Sequence, residues 1–269
     1  MSKLISVIMG IYNCGDTLSE ALDSIVAQSY ENWEIIMCDD GSADNTVEVA
    51  QTYVEKFPDK ILLLKNEKNM GLNFTLNKCL KEAKGFYIAR MDGDDISKPE
   101  RFLKEISVLG ENPDYSIVSS SMELFDENGV WGKTKVNIKP QKSDFVKSTQ
   151  FCHAACLVKK EAFDKVGGYS VDKKLLRVED YHLWVKMYDE GYVGLNIAEP
   201  LYMMRDDRNA QSRRKFRYRF NEAYVKHYAI KHFKLPIKNY IYCLKPIVLG
   251  LTPSLIYKIL HRRKNSGEK

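Results

Sequence analysis

Two glycine signatures of nucleotide binding are missing from this 269-residue chain. No Gly-x-Gly-x-x-Gly follows the first apolar run and no Gly-x-x-x-x-Gly-Lys-Ser/Thr occurs anywhere. A dinucleotide oxidoreductase and a P-loop nucleotide hydrolase thereby lose their main supports. Cysteine is sparse and scattered: Cys14, Cys38, Cys79, Cys152, Cys156 and Cys243. Cys152 and Cys156 form a close pair around His153, but no second pair completes four zinc ligands. Long apolar runs are also absent. Tyr240 to Leu260 is mostly apolar, yet Lys245, Pro246, Gly250 and Pro253 interrupt it, and a spanning helix needs about 20 such residues. The first residues, with Lys3 and then a short apolar run, lack the layout of a signal peptide. With the scattered cysteines this predicts a reducing, cytoplasmic setting.

Apolar residues make up 44% and charged residues 29%, which suits a soluble protein with a sizeable core. The net charge of +5 is modest but unevenly spread. Acidic residues gather before residue 207, while Arg205 to Arg219 and His261 to Lys264 are strongly basic. That asymmetry predicts a negatively charged partner for the C-terminal end.

Strand and helix patterns alternate four times in the first hundred residues. Leu4 to Tyr12, Trp33 to Cys38, Ile61 to Leu64 and Gly85 to Ala89 are short, β-prone runs. Between them, Leu18, Ala21, Leu22, Ile25 and Val26 follow helical spacing, with Asp16 or Thr17 as a cap. Val47, Ala50, Val54 and Phe57 do the same after Asp44 or Asn45, and Leu76 and Leu80 after Asn69-Met70-Gly71-Leu72. Such alternation builds an α/β fold with a parallel sheet covered by helices. Ligands then bind at the carboxyl ends of the strands. Three strands end in polar loops at that edge: Tyr12-Asn13, Asp39-Asp40-Gly41-Ser42 and Asp92-Gly93-Asp94-Asp95. Crowded carboxylates repel one another, and burial raises the cost. A hard cation such as Mn²⁺ or Mg²⁺ removes both problems. An acidic surface turn accommodates the same residues in any one loop, but less readily in two loops at one edge.

Beyond residue 100 the pattern loosens. Phe102, Leu103, Ile106 and Leu109 read as a helix and Tyr115 to Ser119 as a strand. Residues 121 to 149 read as a strand pair with long connections, and Phe151 to Val158 as a strand. A helix from Lys160 to Val166 stops at Gly167-Gly168. Glu179-Asp180 opens another helix, where acidic residues also suit the helix dipole alone.

Five motifs in order resemble the inverting glycosyltransferases of family 2. They are Val7 to Asn13, Asp39 to Thr46, Asn69 to Leu72 with Asn77, Ala89 to Asp95 with Pro99-Glu100-Arg101, and Gly167-Gly168-Tyr169 followed by Glu179 to Trp184. The resemblance covers roughly residues 4 to 205. Gly10 departs from it, since many members carry a proline near Ile11. It implies a GT-A fold, a Rossmann-like and mostly parallel sheet flanked by helices. A nucleotide-sugar half would fill residues 1–100 and an acceptor half 101–210, with a basic, amphipathic helical region over 211–269.

The resemblance also implies site roles. Tyr12 and Asp40 hold the base, with Asn13, Asn69 and Gly71 beside them and Asp39 shaping the loop. Asp92 faces the ribose or donor sugar. Asp94, with Asp92, ligates Mn²⁺ or Mg²⁺, Asp95 is a third carboxylate, and Arg90 approaches the donor. Asp180 is the general base. Glu179, His153 and Trp184 line the acceptor side, and Arg205 reaches the diphosphate. The donor would be a UDP-sugar, although thymidine nucleotides share the same imide edge. The acceptor would be a saccharide, lipid-diphosphate-linked if the tail binds membrane.

Arg205, Arg208, Arg213, Arg214, Lys215, Arg217 and Arg219 alternate with aromatics, which also suits a solvated helix face. Nucleic acid is not expected as a partner, because the acidic loops have no place in that reading. Tyrosines, apolar residues and adjoining basic charge after residue 240 fit the interface of an anionic membrane, on the inner face of the cell membrane. Packing on the catalytic domain or on a second copy, as a homodimer, fits the same residues. A nucleotidyltransferase would need a basic glycine-rich loop after the first strand, which Gly10 to Gly15 lacks. A non-catalytic nucleotide-sugar-binding module would tolerate loss of Asp94 and Asp180.

Overall fold

The computed structural model describes residues 2–206 and 216–251. The first half alternates as the pattern predicts: β1 (Ile5–Ile11), α1 (Gly15–Val26), β2 (Trp33–Asp39), α2 (Thr46–Lys56), β3 (Ile61–Lys65), α3 (Leu72–Glu82) and β4 (Tyr87–Arg90). Strands β3, β2, β1 and β4 are parallel neighbours. Side chains alternate across the sheet. Val7, Met9, Ile35 and Met37 pack with α1 and α2, while Ile8, Ile36 and Cys38 pack with α3. Both faces are buried, which is why these strands read as nearly continuous apolar runs. The register sets Ile11 beside Asp39 and Ile8 beside Arg90, so the loops after β1, β2 and β4 share one edge.

The second half contains β5 (Ile96–Ser97), α4 (Arg101–Glu111), β6 (Tyr115–Asp126), β7 (Gly129–Lys133), β8 (Leu157–Lys159), α5 (Lys160–Val166), α6 (Glu179–Asp189) and β9 (Val193–Arg205). The sheet order is β3-β2-β1-β4-β8-β6-β9-β5, with β7 paired to β6. Strand β8 is antiparallel to both β4 and β6, β5 is antiparallel to β9, and β6 and β9 are parallel. The sheet is therefore mixed rather than mostly parallel. Regular helical crossovers, which parallel pairing requires, stop after α4.

Phe151 to Val158 is not one strand. His153–Ala155 forms a 3-10 turn and pairing begins only at Leu157. Strand β9, 13 residues long, carries no clear period because its register with β6 breaks beside Pro200. Helix α5 ends at Gly167, which takes the left-handed conformation (φ 69°).

Helix α7 (Arg217–His232), a 3-10 segment (Ile237–Cys243) and α8 (Leu244–Gly250) follow. Buried Val225, Ala229 and Ile230 seat α7 on the domain. The fully buried Lys226 donates Nζ to the carbonyls of Val146 and Lys147, at 2.8 and 2.9 Å. Among the described residues no helix is long and apolar enough to cross a membrane. Arg208, Arg213, Arg214, Lys215 and the basic run His261 to Lys264 lie outside the described residues.

Candidate active site

The loops after β1 and β2 are fastened to each other. Asn13, itself at positive φ (47°), donates its N–H to Ser42 Oγ and accepts the Ala43 N–H on Oδ1. Neither Asp16 nor Thr17 caps α1. Thr46 Oγ1 accepts from Cys14 N and Asp44 Oδ2 from Gly15 N, so the β2 loop satisfies the orphan donors of that helix. Thr17 instead donates to the carbonyl of Gly93, at 2.9 Å.

Asp39 accepts the N–H groups of Gly41 and Ser42 and so shapes its own loop. Buried Asp40 ties that loop to the next. Its Oδ1 accepts from Met70 N (2.8 Å) and Asn66 Nδ2 (2.9 Å), and its Oδ2 from Gly71 N (2.9 Å). Oδ2 keeps one lone pair for another donor. A Cβ on Gly10 would meet Leu72 Cδ1 at 3.0 Å, so β1 approaches α3 closely at the position where the resemblance departs. These loops wall a cleft of about 320 Å³ lined by Tyr12, Asp40, Asn69, Gly71, Arg177, Glu179 and Tyr218, among others. Tyr12 is half exposed.

The carboxylate loop leaves β4 at Arg90, whose buried guanidinium pairs with Asp92 at 2.5 Å. The end of β9 holds the rest of the loop. Asp92 N donates to Tyr202 Oη (3.2 Å), Arg205 N to Asp95 Oδ1 (2.8 Å) and Arg205 Nε to the Asp94 carbonyl (2.9 Å). Burial and the neighbouring Asp92 push Asp94 up, and burial with Asp92 and Asp94 holds Asp95 well above the usual carboxylate range. Part of the Asp94 side chain still reaches solvent from this crowded loop, whereas Asp95 is buried. Among the described residues no three His, Cys, Asp or Glu side chains form a closed cage. This open, crowded set fits Mg²⁺ or Mn²⁺, which take one or two carboxylates and leave positions for substrate phosphates. Arg205 comes to this loop too, but its guanidinium is held by the Asp94 carbonyl and by Glu20, over the Phe125 ring.

Glu179 and Asp180 form the first turn of α6. Burial, then the charge of Glu179, pushes Asp180 up to about 7, against an ordinary 3.8. Burial also raises Glu179, whose Oε2 has no hydrogen-bond partner. Glu179 shares the cleft with Tyr12 and Asp40, so it sits on the wall of that cleft as well as beside Asp180. His153 Nε2 lies 2.7 Å from Tyr169 Oη. Burial and Arg90 hold His153 well below its usual value, hence neutral. Trp184 does not line an acceptor surface. It is fully buried, packed edge-on against Phe151 and near His153, because the inward face of α6 must fill the core. The Gly168-Tyr169 motif is docked on α3 by Asn77, which donates to the Tyr169 carbonyl (2.7 Å) and accepts its N–H (2.8 Å).

Four residues of the site carry no signal in the sequence sufficient to place them: Arg101, Arg177, Tyr202 and Tyr218. Arg101 stands in a motif but without a role. In the fold it is wholly buried, paired with Glu105, and donates Nη2 to the carbonyls of Arg90 (3.2 Å) and Cys156 (3.0 Å). Tyr202 lies in an apolar run with nothing to mark its hydroxyl. Arg177 and Tyr218 come to the cleft from a loop and from α7.

A nucleotide-sized cleft and a carboxylate loop at the strand ends of an α/β sheet, with an acidic pair facing them, define a sugar-nucleotide transferase of the GT-A type. The chain belongs to Glycosyl transferase family 2, whose profile matches residues 6–167. It is 39% identical over 265 residues to EpsE of Bacillus subtilis, a glycosyltransferase by name, covering 98% of this chain and 95% of that one. It is 32% identical over 191 residues to the Escherichia coli UDP-Glc:alpha-D-GlcNAc-diphosphoundecaprenol beta-1,3-glucosyltransferase WfgD, covering 71% and 72%. Among solved structures, Staphylococcus aureus TarS 1–349 in complex with UDP superposes with a TM-score of 0.66 at 15% identity, over 92% of this chain and 80% of that one. The Pyrobaculum calidifontis mannosyltransferase PcManGT, in complex with GDP-Man and Mn²⁺, gives 0.62 at 21% identity, over 97% and 68%. The two structural likenesses speak for the fold.

Proposed function

We propose that this glycosyltransferase moves a hexose or N-acetylhexosamine from a UDP-sugar to a hydroxyl of a lipid-diphosphate-linked saccharide, with inversion, at the inner face of the membrane. The observation that carries the reading is the position of Arg90. Its buried guanidinium pairs with Asp92 on the donor side, and its charge acts on both Asp180 and His153. One cation therefore links the donor loop to the acidic pair at the start of α6. The UDP and lipid-linked parts are supported by the names of WfgD and WfaP, both UDP-Glc transferases to a diphosphoundecaprenol-linked sugar.

In this reading Tyr12 covers the base, and the remaining lone pair of Asp40 accepts the imide N–H. Asp94, with Asp92, would hold Mn²⁺ or Mg²⁺, and that ion would supply charge stabilisation to the departing diphosphate. Asp180, near neutrality, takes the proton from the acceptor hydroxyl as its oxygen bonds to the anomeric carbon. The bond from that carbon to the diphosphate oxygen breaks, and UDP leaves with the electron pair. A single displacement inverts the centre and needs no carboxylate nucleophile. Neutral His153, fixed by Tyr169, offers a polar contact to the acceptor. Arg205 would meet the diphosphate by leaving Glu20.

Calorimetric titration of UDP, with and without Mn²⁺, into wild type and Asp94→Ala tests the donor site. Mn²⁺-dependent affinity should fall on the order of tenfold or more in the variant. Absence of UDP binding by the wild type under both conditions would sink the donor assignment.

A further inference from the structure

Apolar side chains are left on the surface of the last described segment in a regular run. From residue 237 to 251 the exposed side chains are Ile237, Lys238, Tyr240, Ile241, Leu244, Lys245, Val248 and Leu251, so each is aliphatic, tyrosine or lysine. The five aliphatic ones are between 59% and 85% exposed. A soluble surface rarely leaves such a patch without a use. Charge narrows the partner. Between Glu222 and Glu268 the chain has no acidic residue, and every formally charged residue there is lysine or arginine. A second copy docked face to face would set lysine against lysine. Among the described residues no helix is long and apolar enough to cross a bilayer, and Lys238 and Lys245 interrupt the apolar side chains of this face.

We infer that this face, Ile237 to Leu251, seats the enzyme on an anionic lipid bilayer, with Ile237, Ile241, Leu244 and Leu251 entering the acyl boundary and Lys238 and Lys245 meeting lipid phosphates. The inference rests on the membrane-associated reading above and names its surface. It also gives that surface a relation to the cleft. A Cβ on Gly250 of α8 would lie 2.7 Å from the ring of Phe216, two residues before Tyr218, which lines the nucleotide cleft. The docking face thus adjoins the cleft through α7, and a lipid-anchored acceptor is met at the membrane level rather than drawn out into solution.

Co-sedimentation of the full chain with vesicles tests this. Vesicles of phosphatidylcholine alone are compared with vesicles containing about one-third phosphatidylglycerol, in low and high salt. The expected result is binding to the anionic vesicles that weakens with salt. Ile241→Ser/Leu244→Ser should lower the partition at least about tenfold, and Lys238→Glu/Lys245→Glu should abolish the preference for phosphatidylglycerol. Both variants should keep wild-type UDP affinity by calorimetry, which separates failure of this surface from failure of the donor site. No anionic-vesicle binding by the wild type, or binding that both variants retain, overturns the inference. So does a wild-type dimer in sedimentation velocity that Ile241→Ser/Leu244→Ser converts to monomer.

Discussion

Polar side chains before Arg90 and those around α6 are treated differently by the fold. On the donor side, Asn13, Asp39, Asp40 and Asp44 direct their oxygens at backbone N–H groups of neighbouring loops. In α6, Glu179 Oε2, Tyr181 Oη, His182 Nδ1 and Trp184 Nε1 are buried without a hydrogen-bond partner, as are Arg90 Nε, Arg101 Nη1 and, in β9, Asn196 Oδ1. Among the described residues, no such atom precedes Arg90. Unsatisfied buried polar groups are costly, and that cost begins at Arg90 rather than in the loops before it. Those earlier loops are thus tied together without a ligand, whereas Glu179, on the wall of the cleft, keeps a buried oxygen unpaired.

The sharpest test of this contrast is Asp180→Asn. Turnover should fall on the order of 10³-fold with UDP affinity unchanged. The stability change has a definite sign. Because Asp180 titrates near 7 in the native state and near 3.8 otherwise, the native protein holds a proton between those values that the unfolded chain releases. Its contribution therefore falls as pH rises from about 4 to 7, and the variant should show a shallower slope in urea unfolding, the remainder coming from other raised carboxyls such as Glu105. Wild-type turnover should in turn rise with pH and level off above about 7. A slope as steep in Asp180→Asn as in wild type would break the comparison at its centre.

Next in size is Arg101→Met, at the seam between the two sides. It leaves Glu105 buried without its partner and frees the carbonyls of Arg90 and Cys156, at a cost of about 3–5 kcal/mol. Arg101→Met/Glu105→Leu should recover much of the urea midpoint but not the turnover, if the clamp positions the carboxylate loop. The smallest effect belongs to Asp40→Asn. An amide turns a donor toward the N–H of Met70 or Gly71, a loss of about 1–3 kcal/mol by thermal melting. A variant as stable as wild type would show that the donor loops do not depend on this tie.

The same contrast governs what could be read from the sequence. The four early strands and their loops are legible because burial on both faces gives continuous apolar runs, and because Asp-Asp-Gly-Ser and Asp-Gly-Asp-Asp fall where those runs stop. The partners of Asp40 and Asp44 are not, since nothing local marks a backbone N–H some 30 residues away. Later the period fails. Phe151 to Val158 is apolar except for His153, a pattern that does not distinguish a strand from a 3-10 turn in the core. Strand β9 is masked by Asn196, Glu199 and Pro200. Trp184 lies in a motif of the acceptor side, yet its size and its position on the inner face of α6 send it into the core. The mixed sheet follows from β8, three residues whose direction no pattern encodes.

The bonds from β9 to the carboxylate loop set an order of events during synthesis. Tyr202 and Arg205 reach back 110 and 111 positions to Asp92, Asp95 and Asp94. A chain emerging from the ribosome can assemble β1 to β4 from near neighbours, and with them the nucleotide loops. The carboxylate loop stays unfinished until residue 205 has been made and threaded beside β6. Domains gain shape from the N-terminus during translation, and distant pairings come late. A nascent or truncated chain therefore completes the loops around Asp39 and Asp40 well before the carboxylate loop, and the far wall of the cleft, with Arg177, Glu179 and Tyr218, later still.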